Sequence, residues 1–176
     1  NQSNKTLLGE CLSSVYADPP GVFYNVVVVD EASRAGNLEM LKKKYPQVLW
    51  ITNQNSKGYW FAVNQALRIT DSEYLALVPL RPEAVFGQFQ KLYDFLEQRP
   101  KTGLAGLVAG DDWQKTAGSG KYSEKNIFLK NCMMFRRRTV KQPGIPDEGM
   151  AMENRELKWC ADLRRAGWGV YYLLTV

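Results

Sequence analysis

The chain has 176 residues, 45% of them hydrophobic, and 23 lysines and arginines against 18 aspartates and glutamates for a net charge of +5. That length suits one well-filled domain and is short for two. With no histidine, Ser-His and Cys-His nucleophile pairs and histidine metal sites are excluded, which leaves carboxylates, lysine, tyrosine or an oxygen-coordinated cation for any catalysis.

In chain order, Leu7, Leu8, Cys11, Leu12 and Val15 form one stripe and predict a helix from Thr6 to Tyr16. After the turn Asp18-Pro19-Pro20-Gly21 comes a strand from Phe23 to Asp30. Its four consecutive valines, Val26 to Val29, cannot alternate in and out, so they read as a strand buried on both faces of a parallel sheet. Asp30 then stands at the strand's carboxyl end, where open α/β sheets bind ligands, and Ser33 follows as a helix N-cap.

A short helix from Asn37 to Tyr45, a strand from Val48 to Thr52, a helix from Tyr59 to Ile69 and a strand from Tyr74 to Val78 come next. Pro82 to Gln98 predicts a helix with Phe86, Phe89, Leu92, Phe95 and Leu96 on one side, and Gly103 to Val108 a further strand. This alternation implies a layered, mostly parallel sheet in the first half. Ala109 to Lys125 has almost no apolar periodicity and reads as a long surface loop. Beyond it, Cys132 to Phe135 suggests a strand, Met150 to Ala166 a helix ended by Gly167, and Gly169 to Val176 a last strand.

The apolar stretches are strand-sized and Asn1 to Thr6 is polar, so neither a membrane span nor a signal peptide is expected, and the cytoplasm is the default location. Cys11, Cys132 and Cys160 are far apart and lie in apolar or helical sequence, which predicts reduced core thiols. A basic balance admits nucleotide phosphate, nucleic acid or a membrane surface as partner. Only Lys42 to Lys44 and Arg136 to Arg138 cluster, with no interleaved aromatic platform, which argues against nucleic acid.

Several segments carry a resemblance. Leu8 to Val15, the strand and loop Val28-Val29-Asp30-Glu31-Ala32-Ser33-Arg34-Ala35-Gly36, Gly58-Tyr59-Trp60-Phe61-Ala62-Val63-Asn64, Glu73 to Val78, Phe95 to Pro100, Asp147-Glu148-Gly149, and Trp159-Cys160 with Leu163-Arg164-Arg165-Ala166-Gly167-Trp168 stand in order. Together they resemble the nucleotide-sugar-dependent family 2 glycosyltransferases of the GT-A fold, in particular the rhamnosyltransferase-like branch. The resemblance implies an α/β, Rossmann-like sheet flanked by helices, with a nucleotide-binding half over 1–108, a loop over 109–126 and a smaller acceptor-side half over 127–176, all within one domain.

It further implies a nucleoside diphosphate sugar as donor, a glycan or lipid-linked acceptor, and transfer to an acceptor hydroxyl with inversion. A peripheral position at a membrane is then an open alternative to the free cytoplasm. Asp30, Glu31, Ser33, Gly58, Asn64 and Arg81 become the nucleotide-sugar residues, and Glu156 and Asp147 the catalytic, acceptor-facing pair. The family's metal-gripping acid is expected just after the Tyr74 strand, where this chain has Arg81, with Glu83 out of register, so no metal ligand is assigned and magnesium or manganese is expected to bind weakly. At the expected base, Asn154-Arg155-Glu156-Leu157-Lys158 keeps one carboxylate, and Lys158 and Asp162 are spaced for an i,i+4 ion pair. The family also begins with a buried strand that is not found ahead of Asn1; the ending of Gly169 to Val176 resembles such a strand as well as the family's late one. Three readings therefore stand side by side: a transferase, with activity intact, reduced or lost; an inactive binding or scaffold protein on the same fold; and a nucleotide-binding module of another α/β family, in which only the strand-end Asp30 and a positive surface matter.

Overall fold

The computed structural model describes residues 2–17, 19–33, 38–80, 88–109, 132–141 and 152–175. The expected elements form, in the order α1 (Gln2–Ala17), β1 (Val27–Glu31), α2 (Glu39–Lys44), β2 (Leu49–Asn53), α3 (Tyr59–Ile69), β3 (Tyr74–Leu77), α4 (Gln88–Glu97), β4 (Thr102–Ala109), β5 (Met133–Arg136), a 3-10 turn (Arg137–Lys141), α5 (Met152–Arg165) and β6 (Gly169–Thr175). The loop expected over Ala109 to Lys125 lies outside the described residues except for Ala109, which closes β4.

The strands form two sheets, β1-β2 and β3-β5-β4-β6. β1 pairs with β2 in parallel, as a β/α/β unit demands, and β4 pairs with β6 in parallel. β5 enters between β3 and β4 antiparallel to both, so the parallel order is broken by the strand that follows the long connection. β6 seats beside β4, far from β1, which makes Gly169–Thr175 the late strand and not a substitute for a first one.

Strand alternation sorts the core into layers. Leu104, Met133 and Phe135 face Trp60, Val63 and Leu67 of α3 and Trp159, Cys160 and Leu163 of α5. The intervening Ala105, Leu107 and Met134 face Leu92 and Leu96 of α4 on the opposite side. A third cluster joins Leu12 of α1 to Leu38, Leu41, Tyr45 and Val48 under the small sheet. All three cysteines are buried, as their apolar context implies.

Two sequence details become visible at element ends. α5 stops in a Schellman turn: Gly167 takes a φ of +84°, its N–H donates to Arg164 O at 3.0 Å, and Trp168 N–H donates to Leu163 O at 2.9 Å. Trp168 then packs so closely on Gly103 that a Cβ there would lie 2.8 Å from the Trp168 Cβ. The i,i+4 pair also forms, with Lys158 Nζ 2.7 Å from Asp162 Oδ2.

The arginine triplet is structural. Arg136, 3% exposed, donates to Thr102 O at 3.1 Å, to Leu96 O and to the Tyr74 hydroxyl. Arg137 reaches Ser72 O, Leu67 O and Thr70 Oγ1, closing the carboxyl end of α3. Arg138 donates to Pro100 O at 3.0 Å and lies over the Trp168 ring.

One expectation needs correction. Val27, Val28 and Val29 are only half-buried, and Asp30, at 8% exposure, is the most enclosed residue of the strand. The reason is topological: among the described residues β1 pairs with β2 alone, and its other edge lines a cleft.

Candidate nucleotide-sugar site

The cleft has a volume of about 880 Å³ and runs between β1 and β3, with α1, α3 and α4 contributing to its walls. At its polar end stand Asp30, Glu31 and Ser33. Asp30 is the penultimate residue of β1. The backbone then turns through Ala32 at a φ of +62°, a left-handed conformation that costs a side-chain-bearing residue roughly 1–2 kcal/mol. That turn brings the Ser33 N–H back onto Asp30 Oδ1 at 3.1 Å. A buried carboxylate with one oxygen held in this way keeps acceptor capacity for an N–H or O–H donor in the cleft.

Glu31 has a different role. Its Oε2 accepts the main-chain N–H of Gly58 at 2.8 Å and of Lys57 at 2.6 Å, together with the Ser56 hydroxyl at 3.0 Å. Its Oε1 accepts Asn53 Nδ2 at 2.6 Å, and Asn53 and Gln65 exchange hydrogen bonds of 2.8 and 2.9 Å. Burial alone would raise the Glu31 carboxyl, but these donors outweigh it and hold it below the ordinary carboxylate value. Gly58, with φ +98°, can turn its N–H toward Glu31 because it has no Cβ. The amino end of α3 is thus already occupied by a carboxylate of the same chain.

Asp30, Glu31 and Ser33 are therefore brought together, and Gly58 is tied to them through Glu31. Asn64 sits further along α3 and does not line the cleft. Glu156 is buried on α5 and lies close to Tyr59, a cleft residue: burial first, and then the charge of Glu156, hold the Tyr59 phenol above its ordinary value. Arg81 and Asp147 lie outside the described residues. The Asn53–Gln65 brace, which sequence reading does not find, had no motif to announce it; only the parallel register that sets Glu31 beside Asn53 does.

The described residues do not fit a divalent cation. Val78, Pro79 and Leu80, which follow β3, bring no carboxylate, and no group of three His, Cys, Asp or Glu side chains converges among the described residues. Nor is any described helix long and apolar enough to cross a membrane.

The fold has a close counterpart among solved structures. A mannosyltransferase from Pyrobaculum calidifontis, solved in complex with GDP-Man and Mn2+, superposes with a TM-score of 0.75 at 18% sequence identity, over 98% of this chain and 52% of its own. The chain thus spans about half the length of that enzyme. No curated protein matches the sequence. Residues 1–152 match glycosyl transferase family 2, and a match over most of the chain, on an α/β fold of GT-A type, establishes that this chain belongs to that family.

Proposed function

We propose that the chain binds a nucleoside diphosphate sugar at the carboxyl end of β1 and transfers the sugar to an acceptor hydroxyl of a glycan or a lipid-linked glycan, with inversion. The observation that carries this is Asp30: a buried carboxylate at a strand end, opening into a cleft, on a chain of a sugar-transferring family. Asp30 accepts an N–H of the base or a ribose hydroxyl, and Ser33 lies beside it to add a second polar contact. Arg81, whose guanidinium matches two phosphate oxygens at once, takes the diphosphate.

In the transfer step the acceptor oxygen bonds to the anomeric carbon as the bond from that carbon to the diphosphate oxygen breaks, and the diphosphate departs with the bonding pair. Glu156 takes the acceptor proton, with Asp147 orienting the acceptor. Glu156 is buried beside Tyr59, which lines the cleft, and that placement supports its role as base.

The test is thermal unfolding with uridine, thymidine and guanosine diphosphates. A nucleotide at about 100 times its dissociation constant adds about 2.7 kcal/mol, and Asp30→Ala is expected to remove that gain. Stabilisation of equal size in the Asp30→Ala variant would overturn the placement of the site.

A further inference from the structure

We propose that the open groove at the start of β4 and β6 is a second binding site, which takes a small soluble phosphate monoester such as a sugar phosphate. The groove has a volume of about 640 Å³, within the range of small-ligand sites. It shares no lining residue with the cleft. Arg99, Lys101 and Arg164 line it, and among the described residues no acid does.

Two turns, hydrogen-bonded to each other, set these cations together. Thr102 N–H donates to Arg99 O at 2.8 Å, which folds residues 99–102 into a turn between α4 and β4. The Schellman turn that ends α5 carries Arg164, and Gly169 N–H, just beyond it, donates to Lys101 O at 2.8 Å. Arg138 joins the same two segments, donating to Pro100 O at 3.0 Å and lying 5.0 Å from the centre of the Trp168 ring. At the Gly167 corner a Cβ would meet nothing within 4 Å, so the groove is open there. The main-chain N–H groups of Thr102, Gly167, Trp168 and Gly169 already donate to carbonyls, so an entering anion is recognised by side chains.

One wall is aromatic. Tyr171, 46% exposed, folds back over Gly169, where a Cβ would lie 2.5 Å from its Cε2; only glycine leaves room for the ring. Its ring meets that of Phe95 at 5.5 Å and 65°, and the Arg99 guanidinium lies over Phe95 at 4.2 Å. A guanidinium stacked by its face keeps its N–H groups in its own plane, where two of them match two phosphate oxygens. The tyrosine ring beside it offers apolar surface to the carbon skeleton that carries the phosphate.

Charge sets the valence of the occupant. Cations at the carboxyl end of a helix are expected for the helix alone, and both α4 and α5 end here. Each such end is equivalent to about half a negative charge, so the two offset about one of the three positive charges on the lining and about two remain. The acids of those last turns are engaged elsewhere: Asp94 accepts Gln90 Nε2 at 2.7 Å, Glu97 takes the Tyr74 hydroxyl and lies 3.8 Å from Arg136 Nη1, and Asp162 holds Lys158 and Arg165. A phosphate monoester, with a charge of about −1.5 to −2 at neutral pH, matches the excess. This inference does not rest on the sugar-transfer reading: the two sites are built from different residues, and either can fail alone.

The probe is glucose 6-phosphate, titrated into the whole chain while main-chain amide signals are followed by NMR. Saturable shifts are expected at Lys101, Gly167, Trp168, Gly169 and Tyr171, while Asp30 and Gly58 report the cleft separately. Arg99→Gln and Arg164→Gln, both at exposed positions, should each weaken binding about tenfold, with unchanged thermal midpoints confirming the fold. Inorganic phosphate should bind more weakly than the sugar phosphate, by a margin that Tyr171→Ala removes, and glucose should not bind. The inference is overturned by no saturable shift at the groove, by shifts at Asp30 and Gly58 alone, by undiminished binding in the two arginine variants, by a margin that Tyr171→Ala leaves unchanged, by glucose binding as well as its phosphate, or by binding to vesicles containing phosphatidic acid but not to the soluble probe, which would make the groove a membrane contact.

Discussion

Glu31 and Gly58 are joined by a 2.8 Å hydrogen bond from the Gly58 N–H to the Glu31 carboxylate, across a gap of 27 residues. This bond ties the carboxyl end of β1 to the amino end of α3.

The cost of removing that tie is measurable. Glu31→Ala leaves the N–H groups of Lys57 and Gly58 without their acceptor, a loss comparable to an N-cap, about 1–2 kcal/mol. Urea unfolding at neutral pH should show it. The same residue governs the acid side: a carboxyl held below its ordinary value in the folded chain contributes stability above its unfolded pKa, and that contribution is lost as pH falls through the lower folded value. The acid limb of the stability curve should flatten in Glu31→Gln.

At alkaline pH Tyr74 sets the expectation. Burial, and then its hydrogen bond to Glu97, push its phenol up to about 12, against an opposing pull from Arg136. A raised folded pKa means stability fully present below the unfolded value of 10.0 and declining from there toward about 12. Tyr74→Phe should be less stable at neutral pH and lose less between these limits, read by thermal scans across that range.

Removing Arg136 should be among the most destabilising single changes. Arg136→Met leaves the main-chain oxygens of Thr102 and Leu96 without this donor and breaks contacts with Glu73 and Glu97. Those two carboxylates are largely solvated, so the loss lies mainly in the buried carbonyls, about 2–4 kcal/mol in all. A shift of the denaturant midpoint with unchanged slope would report it.

Thiol chemistry offers a simple check on the core. Cys132 is fully enclosed, and burial pushes its thiol up to about 12, so it is protonated and shielded at neutral pH. Together with buried Cys11 and Cys160 it should react with an aromatic disulfide only at the rate of opening, and fully in urea.

Substitution of the proposed base separates binding from turnover. Glu156→Gln should lower sugar transfer by about two to four orders of magnitude while nucleotide stabilisation of the fold stays intact. A variant with full transfer would remove Glu156 from the reaction.

Which elements form was legible wherever periodicity was strong. Tyr59 to Ile69 is the helix its apolar spacing predicts, residue for residue, and Gly167 ends α5 where a left-handed residue was needed. The valine run misled because composition tells how apolar a strand is and not whether both its neighbours are present. The engagement of Glu31 with Lys57 and Gly58 depends on a contact between segments that no local pattern encodes. Asp30 was legible because a polar residue at the end of an apolar strand is a local signal that tertiary packing preserves.

The three consecutive arginines change how the molecule's +5 charge should be understood by anyone handling it. Arg136, Arg137 and Arg138 all direct donors to carbonyl oxygens of their own chain, so this run of positive charge is less free to grip a passing polyanion than the lysine run of the same length, Lys42 to Lys44. Retention on a cation-exchange resin, and any attraction to an anionic bilayer, should therefore depend more on the lysines of α2, two of which are well exposed, and should survive losses in the triplet that unfolding would not.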